Sequence, residues 1–94
     1  MIEKIKAALQ IKEELREYGV IRVDGYDNGA QFVFEDFVKH FPDVKEWFIE
    51  DIPTHEAASP HVTVDGIDCF AWSSWEEINK LLIRAEIEKE AVQA

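Results

Sequence analysis

Three histidines, one cysteine and twenty carboxylates are the side chains of this 94-residue chain that could do chemistry, and their spacing limits what that chemistry is. His55-Glu56 and His61 carry the residue types of a zinc hydrolase, in which two histidines four apart on one helix hold the metal. Here the second histidine comes only after Ser59-Pro60, so the two do not share a helical face. A single cysteine supplies no structural zinc pattern either, and neither a metal nor a cofactor is expected. Asp24, Asn28, Gly29 and Glu35 fall at first, fifth, sixth and twelfth positions of a calcium loop. Tyr26, however, stands third, where an oxygen ligand is needed, and the apolar pattern that follows would require Asp36 rather than Glu35 as the last ligand. A hairpin followed by a helix accounts for the same residues.

Cys69 alternates with Val62, Val64 and Ile67 on one side of an expected hairpin, which makes it a buried structural thiol rather than a nucleophile. Ser73 and Ser74 precede a helix, where Ser74 with Glu77 forms a capping box, and no nucleophile-elbow glycines surround them. Gly-rich phosphate loops and dinucleotide fingerprints are missing from the sequence. No catalytic residue is assigned, and the chain is expected not to be an enzyme.

The elements that would position these residues make one α+β domain over 1–94. Ile2, Ile5, Ala8, Leu9, Ile11, Leu15 and Tyr18 give the first eighteen residues an apolar helical face, which Gly19 can terminate in the left-handed conformation. Val20-Ile21-Arg22-Val23 reads as a strand, with a turn at Asp24-Gly25 that would set Asp27 opposite Arg22; Asn28-Gly29 competes as the turn. Phe34, Phe37, Phe41, Val44 and Phe48 recur at helical spacing, with Pro42 either kinking one helix or opening a second. Glu50 to Pro60, with two prolines, reads as the main loop. His61–Val64 and Ile67–Phe70 then pair across Asp65-Gly66. The last helix carries Trp75, Ile78, Leu81, Leu82, Ala85 and Val92 on one stripe, with Ile83 and Ile87 off it as a possible oligomer contact. Displacing the sequence by 41 residues lays Val23-Asp24-Gly25 on Val64-Asp65-Gly66, Ala30 on Ala71, Glu35 on Glu76 and Lys39 on Lys80. This possible internal repeat predicts the order helix, hairpin, helix, loop, hairpin, helix, with about four strands in a small antiparallel sheet packed with helices.

Composition adds the strongest functional constraint. The net charge is −10, which excludes a direct nucleic-acid contact and disfavours an anionic membrane. Residues 1–18 are neutral, whereas between 19 and 72 only Arg22, Lys39 and Lys45 oppose eleven carboxylates. Removing those with turn, capping or pairing duties leaves Asp43, Glu46, Glu50, Asp51 and Glu56 as a candidate site for a basic protein, with Glu46 and Glu50 four apart on a helix. The function expected is a small interaction protein, an inhibitor that mimics nucleic acid on the basic surface of a partner enzyme. Phage anti-defence proteins (anti-CRISPR or anti-restriction), antitoxins and immunity proteins act in this manner. The alternative is an assembly protein that self-associates through the C-terminal helix as a homodimer, its acidity serving solubility. The charged N-terminus lacks the apolar run of a signal peptide and no segment reaches the ~20 residues of a membrane span, so a cytoplasmic location is expected.

Overall fold

The computed structural model of the chain describes residues 1–93, with side chains described through Glu88. In chain order it contains α1 (Ile2–Arg16), β1 (Val20–Asp24), β2 (Gly29–Phe32), α2 (Phe34–His40), β3 (Phe48–Ile52), β4 (Ala57–Val64), β5 (Ile67–Ala71) and α3 (Trp75–Gln93). Short 3-10 turns at Val44–Glu46 and Pro53–His55 flank β3. The strands form one mixed sheet in the order β1-β2-β5-β4-β3, antiparallel except where β2 and β5 run parallel at its centre. The α+β class and the helix–strand layout follow the sequence pattern. No helix of the described residues is long and apolar enough to cross a membrane.

Turn chemistry fixes the two hairpins differently. Asp65 and Gly66 both have positive φ, 51° and 80°, the geometry of a two-residue turn whose twist matches the strands it joins, and Val64 pairs with Ile67 across it. The first hairpin closes later than Asp24-Gly25: Asp24 pairs with Gly29, and Asn28 takes the left-handed conformation at φ 49°. Arg22 therefore sits opposite Gln31, not Asp27, and its guanidinium lies 3.7 Å from the Asp24 carboxylate. Residues 20–40 and 57–93 share the order strand, turn, strand, helix, but the unequal turns break the gapless alignment of the two segments.

Two other expectations change. The helix at Phe34 stops at His40, because Pro42 disfavours helical backbone at Phe41, and Phe48 belongs to a strand. The expected loop from Glu50 to Pro60 is instead the end of β3, a strand beyond the four expected, a 3-10 turn begun by Pro53, and the first half of β4, in which Pro60 pairs with Ile49.

Helices cover one side of the sheet. Val20, Phe32, Cys69 and Ala71 from the strands pack with Phe37 of α2 and with Val44 and Trp47 of the connecting turn. The Phe37 ring lies 5.2 Å from Trp47 and 5.0 Å from Phe41, and the Trp47 indole N–H donates to the Phe41 carbonyl. The Ser74 hydroxyl accepts from the Glu77 N–H, but the Glu77 carboxylate accepts from the Ser73 hydroxyl rather than closing the expected box with Ser74; behind this cap Ile78 is fully buried with Leu81, Leu82 and Ala85 partly so. Trp75, expected in the core, lies at its margin and donates to Asp51. Val92 lies outside the residues whose side chains are described. The apolar face of α1 does not join this core: against the described residues the helix buries no side chain, and only Leu15 at its end is half-buried.

Candidate functional site

The side of the sheet away from α2 and α3 has no helix over it among the described residues. Strand alternation assigns its lining: Phe48, Glu50 and Ile52 from β3, Ser59, His61 and Thr63 from β4, Asp68 and Phe70 from β5, Gly29 and Gln31 from β2, Arg22 and Asp24 from β1. A cleft of about 340 Å³ crosses this surface from Arg22, Asp24 and Asp27 to Glu50, with Trp72 at its border. A shallower depression of about 450 Å³ adjoins it, lined by Glu46, Phe48 and Glu50, and the two share Glu50, His61 and Asp68.

His61 and Asp68 form the centre. The pairing of Thr63 with Asp68 and of His61 with Phe70 sets them diagonally across adjacent strands. The His61 Nδ1 lies 2.9 Å and 3.0 Å from the two Asp68 oxygens, a hydrogen bond that requires the proton on Nδ1. Phe70 stacks on the imidazole at 5.3 Å and 20°, and Phe48 stands 6.3 Å away on the other side. This packing seals Nε2 from solvent with no hydrogen-bond partner among the described residues. A general base must reach a substrate proton, and this nitrogen is enclosed. The nearby Ser59 hydroxyl is buried and donates to the Ala71 carbonyl, so it is not poised as a nucleophile. The pair forms a polar floor shared by the two depressions.

The open face is acidic. Asp24 meets Arg22 and its other oxygen accepts from the Tyr26 N–H, and Asp68 meets His61. Glu46, Glu50 and Asp27 have no ion-pair or hydrogen-bond partner among the described residues. Around them stand Phe48 and Trp72, both exposed.

The structure divides the five sequence-assigned carboxylates. Glu46 and Glu50 are brought together on the open face, although by a 3-10 turn running into a strand rather than by one helix. Asp43 caps that turn by accepting from the Lys45 N–H. Asp51 points to the opposite side of β3 and accepts from the Trp75 indole at 2.9 Å. Glu56 ends the Pro53–His55 turn in the left-handed conformation. The sequence positions of Asp24, Asp27, His61 and Asp68 do not mark them as binding residues, yet all four line the cleft. The signal for the last two was present: a two-residue turn at Asp65-Gly66 dictates the register that joins them.

His55 packs near Trp72, and among the described residues no three metal-ligating side chains converge. Cys69 is buried on the helix-covered side; burial first, and then the neighbouring Asp68 carboxylate, push its thiol above the ordinary value. Ile83 and Ile87 are exposed on α3 at 60% each. No protein-family model matches the chain, and comparison with curated proteins and with solved structures finds no match.

Proposed function

We propose that this chain is a protein-binding module that presents the open face of its sheet to a basic surface of a partner, and that it acts as an inhibitor by occupying a surface that otherwise holds nucleic acid. The observation that carries the reading is the pair Glu46 and Glu50, two carboxylates without partners among the described residues, beside the exposed Phe48 ring on a sheet face with no helix above it. Carboxylates steer a cationic partner and select against anionic ones, while an aromatic ring beside them offers a face to arginine. The net charge of −10 extends the same attraction over distance. Phage anti-defence, antitoxin and immunity roles all fit such a surface, and a cytoplasmic setting suits each of them.

The test combines capture and competition. A partner recovered from the source cell should be released by added nucleic acid and by salt. Glu46→Lys with Glu50→Lys should weaken its binding about tenfold to a hundredfold without changing the fold. Asp43→Asn, which alters the turn cap but not the open face, should leave binding within about twofold. Unchanged capture by the double reversal would overturn the site; capture insensitive to nucleic acid would overturn the inhibitory role.

Self-association is the second reading, favoured by the exposed Ile83 and Ile87 on α3.

A further inference from the structure

Strands β1 and β3 are the two edges of the sheet, and they are finished differently. On β1 a bulge between Val20 and Arg22 interrupts the ladder to β2, and Lys12, Leu15 and Arg16 of α1 stand beside it. A bulged edge next to a helix is a poor template for a further strand. Strand β3 pairs with β4 in regular register from Phe48 with His61 to Ile52 with Ala57, and no described strand pairs with its outer side.

The pairing of β4 with β5 fixes which backbone groups that outer side offers. The two-residue turn at Asp65-Gly66 makes Val64 and Ile67 a hydrogen-bonded pair, so the even-numbered residues of β4 turn their backbone groups to β5 and the odd-numbered ones to β3. Ala58 agrees, exchanging both backbone bonds with Ser73. Pro60, which has no N–H, falls on the β5 side, and there the Ser59 hydroxyl donates to the Ala71 carbonyl. Phe48, Glu50 and Ile52 therefore bond to His61, Ser59 and Ala57, while the N–H and C=O of Ile49 and Asp51 point outward with no backbone partner among the described residues. We infer that this edge accepts an extended, cationic segment of the partner as a further strand, hydrogen-bonded to Ile49 and Asp51; the charge of that segment rests on the reading of the open face proposed above.

Charge selects this occupant. Strand β3 and the turns that flank it, 43–56, carry Asp43, Glu46, Glu50, Asp51 and Glu56 against Lys45 alone. A second copy adding through its own β3 would bring the Glu50-Asp51 carboxylates of both chains together, and like charges on adjacent strands are destabilising. A segment with arginine alongside Glu50 instead sets that side chain on the open face, next to the exposed Phe48 ring. Main-chain bonds then supply affinity and alternate side chains specificity. The Trp75 indole holds the Asp51 carboxylate on the covered side and leaves the backbone of Asp51 at the edge.

The probe is a capped peptide of alternating threonine and arginine, long enough to lie along the five residues of β3, titrated into the full chain and followed by amide NMR. Binding at about millimolar affinity or tighter is expected. Amide exchange at Ile49 and Asp51 should slow at least about tenfold at saturation, and exchange at Ile21 on the β1 edge should not change. N-methylation of the threonines, whose N–H groups meet β3 when arginine lies alongside Glu50, should weaken binding at least about tenfold; N-methylation of the arginines, whose N–H groups then face water, should leave it within about threefold. Asp51→Pro removes an outward N–H without touching a bond between β3 and β4, and should bind at least about fivefold more weakly than Asp51→Asn, which keeps the N–H and the acceptor for Trp75. The peptide pair reads the edge even if Asp51→Pro fails to fold. No binding at about 10 mM peptide, equal binding of the two N-methylated peptides, or unchanged exchange at Ile49 and Asp51 would overturn strand addition. The open-face reading survives that failure if Glu46→Lys with Glu50→Lys still weakens the unmodified peptide. Full binding to this double reversal, with loss on threonine N-methylation, would overturn the open-face reading and the cationic occupant together.

Discussion

On β5, Asp68 and Cys69 are adjacent in the chain and face opposite sides of the sheet. Cys69 lies against the ring-packed layer built by Phe32, Phe37 and Trp47, whereas Asp68 holds His61 on a surface that no helix covers among the described residues. The two sides spend their residues differently. The covered side is almost wholly apolar: the helices supply Phe37 and Ile78, the connecting turn Trp47, and the strands Phe32 beside the small Ala58 and Ala71. The open side mixes carboxylates, an arginine, a histidine and aromatic rings, a composition that gains little from burial within one chain and much from contact with a charged partner. Stability resides on the covered side and the proposed recognition on the open one, and substitutions can separate them.

Phe37→Ala should show the contrast at its largest. Removing a fully buried ring from the covered side should cost about 3–5 kcal/mol in urea unfolding. Glu50→Ala on the open side should change stability by no more than about 0.5 kcal/mol, because its carboxylate has no partner to lose. Comparable costs for the two would mean that the open face is also structural.

Asp68→Ala should fall between them. It leaves the His61 ring held between Phe70 and Phe48 with its Nδ1 hydrogen bond gone, a loss of about 1 kcal/mol, moderated because Asp68 itself is partly exposed and water can take its place. The same variant should weaken binding of a basic partner. A loss of stability with no loss of binding would confine the pair to a scaffolding role.

How much of this was legible depended on whether local chemistry or tertiary context decided the outcome. The Asp65-Gly66 turn, the Ser74 cap and the Gly19 terminus were readable because each needs a residue type at a single position, and Gly19 does adopt φ 83°. Strand β3 is not readable: Pro53 and Pro60 follow it and read as breakers, yet Pro53 begins a 3-10 turn and Pro60 is fully buried inside β4. Glu46 and Glu50 do share one surface, but through a turn running into a strand and not through four residues along a helix. Helix α1 is readable from its apolar residues, but its exposure is not: only Leu15 reaches the sheet, while Ile2, Ile5 and Leu9 fall on one side of the helix and Ile11 on the other. His61 and Asp68, seven positions apart, meet only through the register of the last hairpin.

The smallest effect links the two sides. Burial, and secondarily the Asp68 carboxylate, raise the Cys69 thiol, so the folded protein keeps it neutral where the unfolded chain lets it ionise, from about pH 8.5. Its contribution to stability is therefore complete below that pH and declines as the pH rises through the folded value. Cys69→Ala should remove this component of the alkaline loss of stability. In the wild type, alkylation at pH 8 should be slower than that of a free cysteine, because the thiolate is both scarce and enclosed. Asp68→Asn removes one of the two causes and leaves the other, since an amide holds no charge but the thiol remains buried. In that variant Cys69 should ionise at a lower pH than in the wild type, yet still above its ordinary value, as read by the thiolate absorbance across an alkaline titration. An identical titration in both proteins would mean that the sheet insulates its two faces electrostatically. A return to the ordinary value would mean that the charge on the open side, rather than the packing on the covered side, governs the thiol.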